Sequence, residues 1–219
     1  FGQSKILNII FFYIFVITKI YNTMKLTVTY QDTYSRSELL LRSFFGVFYI
    51  ALPHFFILVF MALWGSILSF IAFVTIMFTG RYPESMFEFQ VKLLRWQLRL
   101  NARLQNLSDG YPSFGLDGTD EFTSLEVEYP ESISRGATLL RTFFGIFYVM
   151  LPHGFVLYFR ILWGSLLQIY AWLSVLFTAE YPKSVHDFLV GTIRWQYRVN
   201  LYMGNMTDVY PPFSGEEDA

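Results

Sequence analysis

The sequence predicts an all-α membrane protein: a tandem repeat of two-pass helical hairpins, each followed by an amphipathic interfacial helix, with short strands outside the bilayer. Composition comes first. The 219 residues are 54% hydrophobic and 21% aromatic but only 15% charged, a membrane balance. The apolar excess is gathered into two nearly charge-free runs, residues 39–80 and 139–179. Each is about forty residues long, roughly twice the ~20 that one spanning helix needs, so each reads as two passes. The third observation is that the chain repeats itself.

At an offset of 99 residues the halves align without a gap. Arg42-Ser43-Phe44-Phe45-Gly46 matches Arg141-Thr142-Phe143-Phe144-Gly145, and Leu52-Pro53-His54 matches Leu151-Pro152-His153. Leu63-Trp64-Gly65-Ser66 meets Leu162-Trp163-Gly164-Ser165, and Arg95-Trp96-Gln97 meets Arg194-Trp195-Gln196. The chain therefore divides into a first repeat over 24–114, a linker over 115–124 rich in Gly, Asp and Thr, a second repeat over 125–213 and an acidic tail over 214–219.

Residues 1–23 are dominated by Phe, Ile, Tyr, Asn and Lys and hold no acid. They read as in-frame translation of upstream DNA, with Met24 as the natural start; the rival is a short membrane helix over 6–21. Each copy then opens on an alternating stretch, 26–30 and 125–129, whose period of two suits a strand. Two lone strands are marginal unless paired, so one small sheet is expected to join the copies.

Within each apolar run the turn is expected at Trp64-Gly65-Ser66 and Trp163-Gly164-Ser165, where an interfacial aromatic adjoins a residue that allows a tight bend. Arg160 then snorkels to a nearby interface. A turn at Pro53-His54 is the alternative, with proline otherwise serving as a kink. Two passes per copy make the repeats parallel. From Lys25 onward, every Lys and Arg except Arg160 falls on the strand side, which the positive-inside rule makes cytoplasmic. The expected location is the inner membrane, with strands, amphipathic helices and C-terminus in the cytoplasm.

After each hairpin Pro83 and Pro182 suit a helix start. Phe89, Leu93, Trp96, Leu100, Leu104 and Leu107 recur at helical spacing beside a stripe of Lys92, Arg95, Arg99 and Arg103. This predicts a helix lying on the inner membrane surface, with Trp96 and Trp195 as interfacial anchors.

The order Pro-His, apolar run, Phe-Thr-Gly-Arg-Tyr-Pro, Arg-Trp-x-x-Arg, Asp-x-Tyr-Pro-Pro-Phe resembles the uncharacterised bacterial membrane proteins grouped as domain-of-unknown-function family 4389. The resemblance covers about 36–114 and 135–213. Ser113 departs from its second proline, and Ala179-Glu180 from its Gly-Arg. It implies no activity.

His54 and His153 are the most tempting site residues, since paired imidazoles at membrane depth suit a metal, haem or quinone, or a proton relay. The plainer reading has each donate to a carbonyl that the adjacent proline leaves unpaired. Without carboxylate or thiolate companions the ligand set is incomplete, so no metal and no cofactor is expected. Arg95, Arg99, Arg194 and Arg198 suit lipid phosphate or acidic groups of a protein. The alternative pairs Arg95 with Asp109 and Arg194 with Asp208. Asn106 and Asn205 fall in glycosylation sequons that a cytoplasmic position would make meaningless.

The net charge of −1 argues against a nucleic-acid partner. No nucleophile elbow, phosphate loop or dinucleotide fingerprint occurs, so nothing supports an enzyme. The expected function is a non-catalytic membrane scaffold or interaction subunit, with membrane lipids and a membrane protein as partners. A lipid-binding or lipid-handling protein is the alternative.

Overall fold

The computed structural model describes residues 24–217; the leading segment 1–23, and the choice between its two readings, lies outside the described residues. The order is β1 (Met24–Val28), α1 (Arg36–Thr79), α2 (Glu84–Leu104), β2 (Thr123–Val127), α3 (Arg135–Thr178) and α4 (Lys183–Met203). Most of the described chain is helical, with two long apolar helices and a two-stranded sheet.

The expected hairpins do not form. Each apolar run is one continuous helix of 44 residues. Gly65 and Gly164 sit in mid-helix, and neither Trp64-Gly65-Ser66 nor Pro53-His54 makes a turn. Gly65 serves close approach instead: a Cβ there would lie 3.3 Å from Gln90 and Leu93 of α2, and the Gln90 side chain donates to the Gly65 carbonyl at 2.6 Å. Pro53 is accommodated by a π turn over Val47–Ala51, repeated at Ile146–Met150 before Pro152. The extra residue keeps one stripe in register, so that Leu39, Arg42, Gly46 and Ile50 face inward with His54, Leu58, Gly65, Ala72 and Ile76. Gly80 ends α1 in the left-handed region, and Ala179 adopts the same conformation after α3 at some steric cost.

α1 and α3 run antiparallel, which revises the expectation of parallel hairpins. Arg36 donates to the Phe177 carbonyl at 2.9 Å, and its equivalent Arg135 donates to Phe78 at 2.8 Å. The copies are thus related by a twofold. Its axis passes through the sheet, where β1 and β2 pair antiparallel and the equivalent residues Leu26 and Leu125 face each other.

The copies interlock across this axis. The Ile133 amide donates to Gly80 and the Tyr34 amide to Ala179. The Tyr30 hydroxyl reaches the Tyr181 carbonyl, and Tyr129 reaches Tyr82. One core joins both copies, with Met24, Leu26, Val28 and Leu125 of the sheet packing with Val91 and Leu98 of α2, Val190 and Ile193 of α4, and Ala72 and Ala171 of the long helices.

Three layers result, because α2 meets α1 and the sheet from opposite sides. Gln90, Leu93 and Trp96 face α1, while Arg95 donates to the Leu125 carbonyl of β2 at 2.8 Å. The apolar stripe of α2 therefore packs against α1. Trp96 and Trp195 are 1% and 2% exposed, hence core residues where membrane anchors were expected. Arg160 likewise does not snorkel; it donates to the Thr192 hydroxyl and the Phe188 carbonyl of α4.

Candidate functional site

The same relay, buried at its tryptophan and histidine, occurs once in each copy. The Trp96 indole donates to His54 Nδ1 at 2.8 Å, and His54 Nε2 lies 3.1 Å from the Tyr111 hydroxyl. Trp195, His153 and Tyr210 repeat this at 2.8 and 3.2 Å. An indole N–H donates only, so Nδ1 carries a lone pair and the neutral ring holds its proton on Nε2, aimed at the tyrosine. In the second copy Tyr210 donates onward to the Tyr148 carbonyl at 2.9 Å.

That carbonyl lies four residues before Pro152, where the missing N–H leaves an acceptor open. In the second copy tyrosine, and not the histidine expected, donates to that carbonyl. Both imidazole nitrogens are committed, so the arrangement orients side chains rather than offering a ligand. Phe213 stacks on His153 at 3.9 Å and Phe114 lies 4.6 Å from His54. The Tyr-Pro segment following α2 and α4 is thereby pinned to the long helix.

Asp109 and Asp208 do not meet Arg95 and Arg194. Asp109 accepts from Arg42 at 2.8 Å and from the Ser35 amide at 2.6 Å, and Asp208 accepts from Arg141 and the Ser134 amide at 2.6 and 2.7 Å. Each aspartate so anchors the first turns of a long helix, where Ser35 or Ser134 is the N-cap. Arg99 donates to the carbonyls of Ser113 and Gly115, and Arg198 to those of Ser214 and Glu216. Arg194 holds Gly215, Glu217 and, across the axis, the Leu26 carbonyl. These cations face the sheet layer and fix backbone. Asn106 and Asn205 take left-handed conformations as α2 and α4 end, with the Leu107 and Met206 amides closing back on Ala102 and Leu201.

A family model described as Domain of unknown function (DUF4389) matches residues 36–115 and again 135–215. The chain belongs to this family. No protein of curated function and no solved structure matches it. The two DUF4389 units share the Trp-His-Tyr relay and the Arg-Asp clamp, and they differ elsewhere.

Arg103 of the first unit is paired with Asp120 at 2.6 Å, both nearly fully buried; the equivalent residue in the second is Tyr202, whose ring lies under Arg141 at 4.7 Å. Phe87 of the first unit, edge-on to Tyr82 and Tyr129, is replaced by His186, edge-on to Tyr181 and Tyr30. His186 is 2% exposed and, among the described residues, neither ring nitrogen has a hydrogen-bond partner; Asp187 comes no nearer than 3.6 Å. Burial pushes this imidazole below its usual pKa, which Asp187 only partly opposes. It lines a cleft of about 650 Å³ beside the sheet, with Lys183, Arg194 and Glu217.

Sequence reading overlooked His186, Arg42, Arg141 and the Arg103–Asp120 pair. The repeat itself held one signal, a histidine standing where its sister copy has phenylalanine.

Replacing His153 by Ala should leave the Trp195 indole without an acceptor and cost about 1–3 kcal/mol. His153→Gln keeps an acceptor and a donor and should lose less than half as much. Equilibrium unfolding in detergent, followed by tryptophan fluorescence, measures both. Equal losses would contradict a hydrogen-bonding role.

Proposed function

We propose that the protein is a non-catalytic membrane scaffold or interaction subunit, bound to the bilayer by α1 and α3 and presenting its sheet layer to a partner. The observation that carries this is the outward face of the two long helices. Phe44, Phe48, Phe56, Phe60, Ile67 and Phe78 of α1, and Phe143, Phe147, Phe155, Phe159, Leu166 and Phe177 of α3, are all exposed. So continuous an apolar surface far exceeds the few hundred Å² usual on a soluble monomer.

The opposite face is polar, with Lys25, Thr27, Ser124 and Glu126 on the sheet. The inner membrane with that face cytoplasmic is the orientation the positive-inside rule favours, since the cations cluster there. Lipid handling is the second reading. It is favoured by a cleft of about 530 Å³ between α2 and α4, lined by Gln97, Asn101, Gln196, Tyr197 and Asn200.

Gentle detergent extraction of native membranes, followed by isolation of the intact protein, separates the two. A protein partner at fixed ratio through successive purification steps is expected. Recovery of the chain alone with one retained lipid species would replace the scaffold reading by lipid handling.

A further inference from the structure

We infer that α1 and α3 do not cross the bilayer but lie side by side in the plane of one leaflet, their apolar faces in the acyl chains and the sheet layer in water. This rests on the membrane reading above and goes beyond it. Length is the first ground. A 44-residue helix is about 66 Å long, and the exposed apolar stretch from Phe44 to Phe78 spans about 50 Å. Fitting that stretch within a hydrocarbon core of ~30 Å needs a tilt above about 50°, outside the range of roughly 0–40° seen for spanning helices.

The second ground is where the polar layers sit. They accompany α1 along its whole length, meeting it at Arg42 through Asp109, at His54 through Trp96, at Gly65 through Gln90 and at Gly80 through Ile133. Leu93, packed on Gly65, adjoins Lys92, whose ion pair with Asp117 is open to solvent at 42% and 82% side-chain exposure. A bilayer threaded by α1 would immerse that pair in hydrocarbon.

The third ground is the chemistry of the outward arc. In α1 the inward stripe of His54, Leu58, Gly65, Ala72 and Ile76 lies opposite Phe56, Phe60, Ile67 and Phe78. The hydroxyls of Ser66, Thr75 and Ser165 all turn back onto carbonyls of their own helix, the arrangement suited to a surface that meets lipid and not water. Exposed arginines close both ends, Arg36 at one and Arg81 with Arg135 at the other, placed for anionic headgroups. The surface thus has the layout of an in-plane amphipathic anchor, doubled by the twofold.

The chain has no cysteine, so single cysteines introduced at Phe44, Phe60 and Phe78 can each carry one spin label. The full chain is reconstituted into vesicles of phosphatidylcholine with phosphatidylglycerol, and label depth is read from relaxation by oxygen against a water-soluble nickel chelate. In-plane seating predicts the same shallow depth at all three sites. Phe60 markedly deeper than both flanking sites, or Phe44 and Phe78 in opposite leaflets, would overturn the inference while leaving the membrane reading intact. Failure to bind vesicles, with the protein instead a dimer closed over its apolar faces, would overturn both. The three sites are exposed, and circular dichroism checks that the labelled variants keep wild-type helicity.

Discussion

Asp208→Asn should destabilise the protein by about 3–5 kcal/mol, because it leaves the Arg141 guanidinium charged and buried without its counter-ion. The Arg141 side chain has no exposed surface, whereas Asp208 is 35% exposed. Removing the arginine should therefore hurt less, since Asp208 can turn toward water. Arg141→Met keeps volume in the core and frees the Thr207 carbonyl and Thr138 hydroxyl that the guanidinium binds. The double variant should lose clearly less than the two single losses added, the mark of direct coupling. Unfolding of all four proteins in one detergent decides it. Strict additivity would show that Asp208 acts only through the Ser134 amide.

The Arg103–Asp120 pair should give an effect of similar size in the first unit, with side chains 3% and 6% exposed. Burial alone would raise the Asp120 carboxyl, but hydrogen bonds from Arg103 and Thr123 and the Arg103 charge hold it below the usual carboxylate range. A depressed folded-state pKa contributes stability that is complete above the unfolded value and is lost as pH falls through the folded one. Wild-type stability should accordingly fall from just above the ordinary carboxylate range downward. Asp120→Asn should lose about 3–5 kcal/mol at neutral pH and show less of that acid decline. The same variant should loosen the chain around Asp120, which Arg103 ties to α2, and expose it to protease. An unchanged pH profile would mean that other carboxylates account for the decline.

The repeat, the helical content and the pairing of two short strands were legible from the sequence because they depend on local pattern: a fixed offset, an apolar period, an alternation of two. At the Pro-His pair histidine is the expected donor to the carbonyl that proline leaves open, and in the second copy Tyr210 takes that role. That partner was not legible, since Tyr210 lies 57 residues beyond His153 and nothing local links them. The Arg-Asp choice failed for a similar reason. Arg95 stands fourteen residues before Asp109 and looked nearest along the chain, while Arg42 is 67 residues away and nearest in space.

The hairpin was the larger error, and it came from reading an apolar run as so many bilayer thicknesses. Run length reports how much surface avoids water, not the direction in which the helix lies. Trp64-Gly65 looked like a turn because glycine permits bends, whereas here its missing side chain admits Gln90 and Leu93. Sequence by itself determined that this chain is a duplicated, apolar, helical protein of this family. Only tertiary structure decided that each run is one helix, that the two run antiparallel about an axis through Leu26 and Leu125, and that Trp96, Trp195, Arg99 and Arg198 look inward. Those outcomes depend on contacts between segments far apart in the chain, and long-range packing leaves no local periodicity to read.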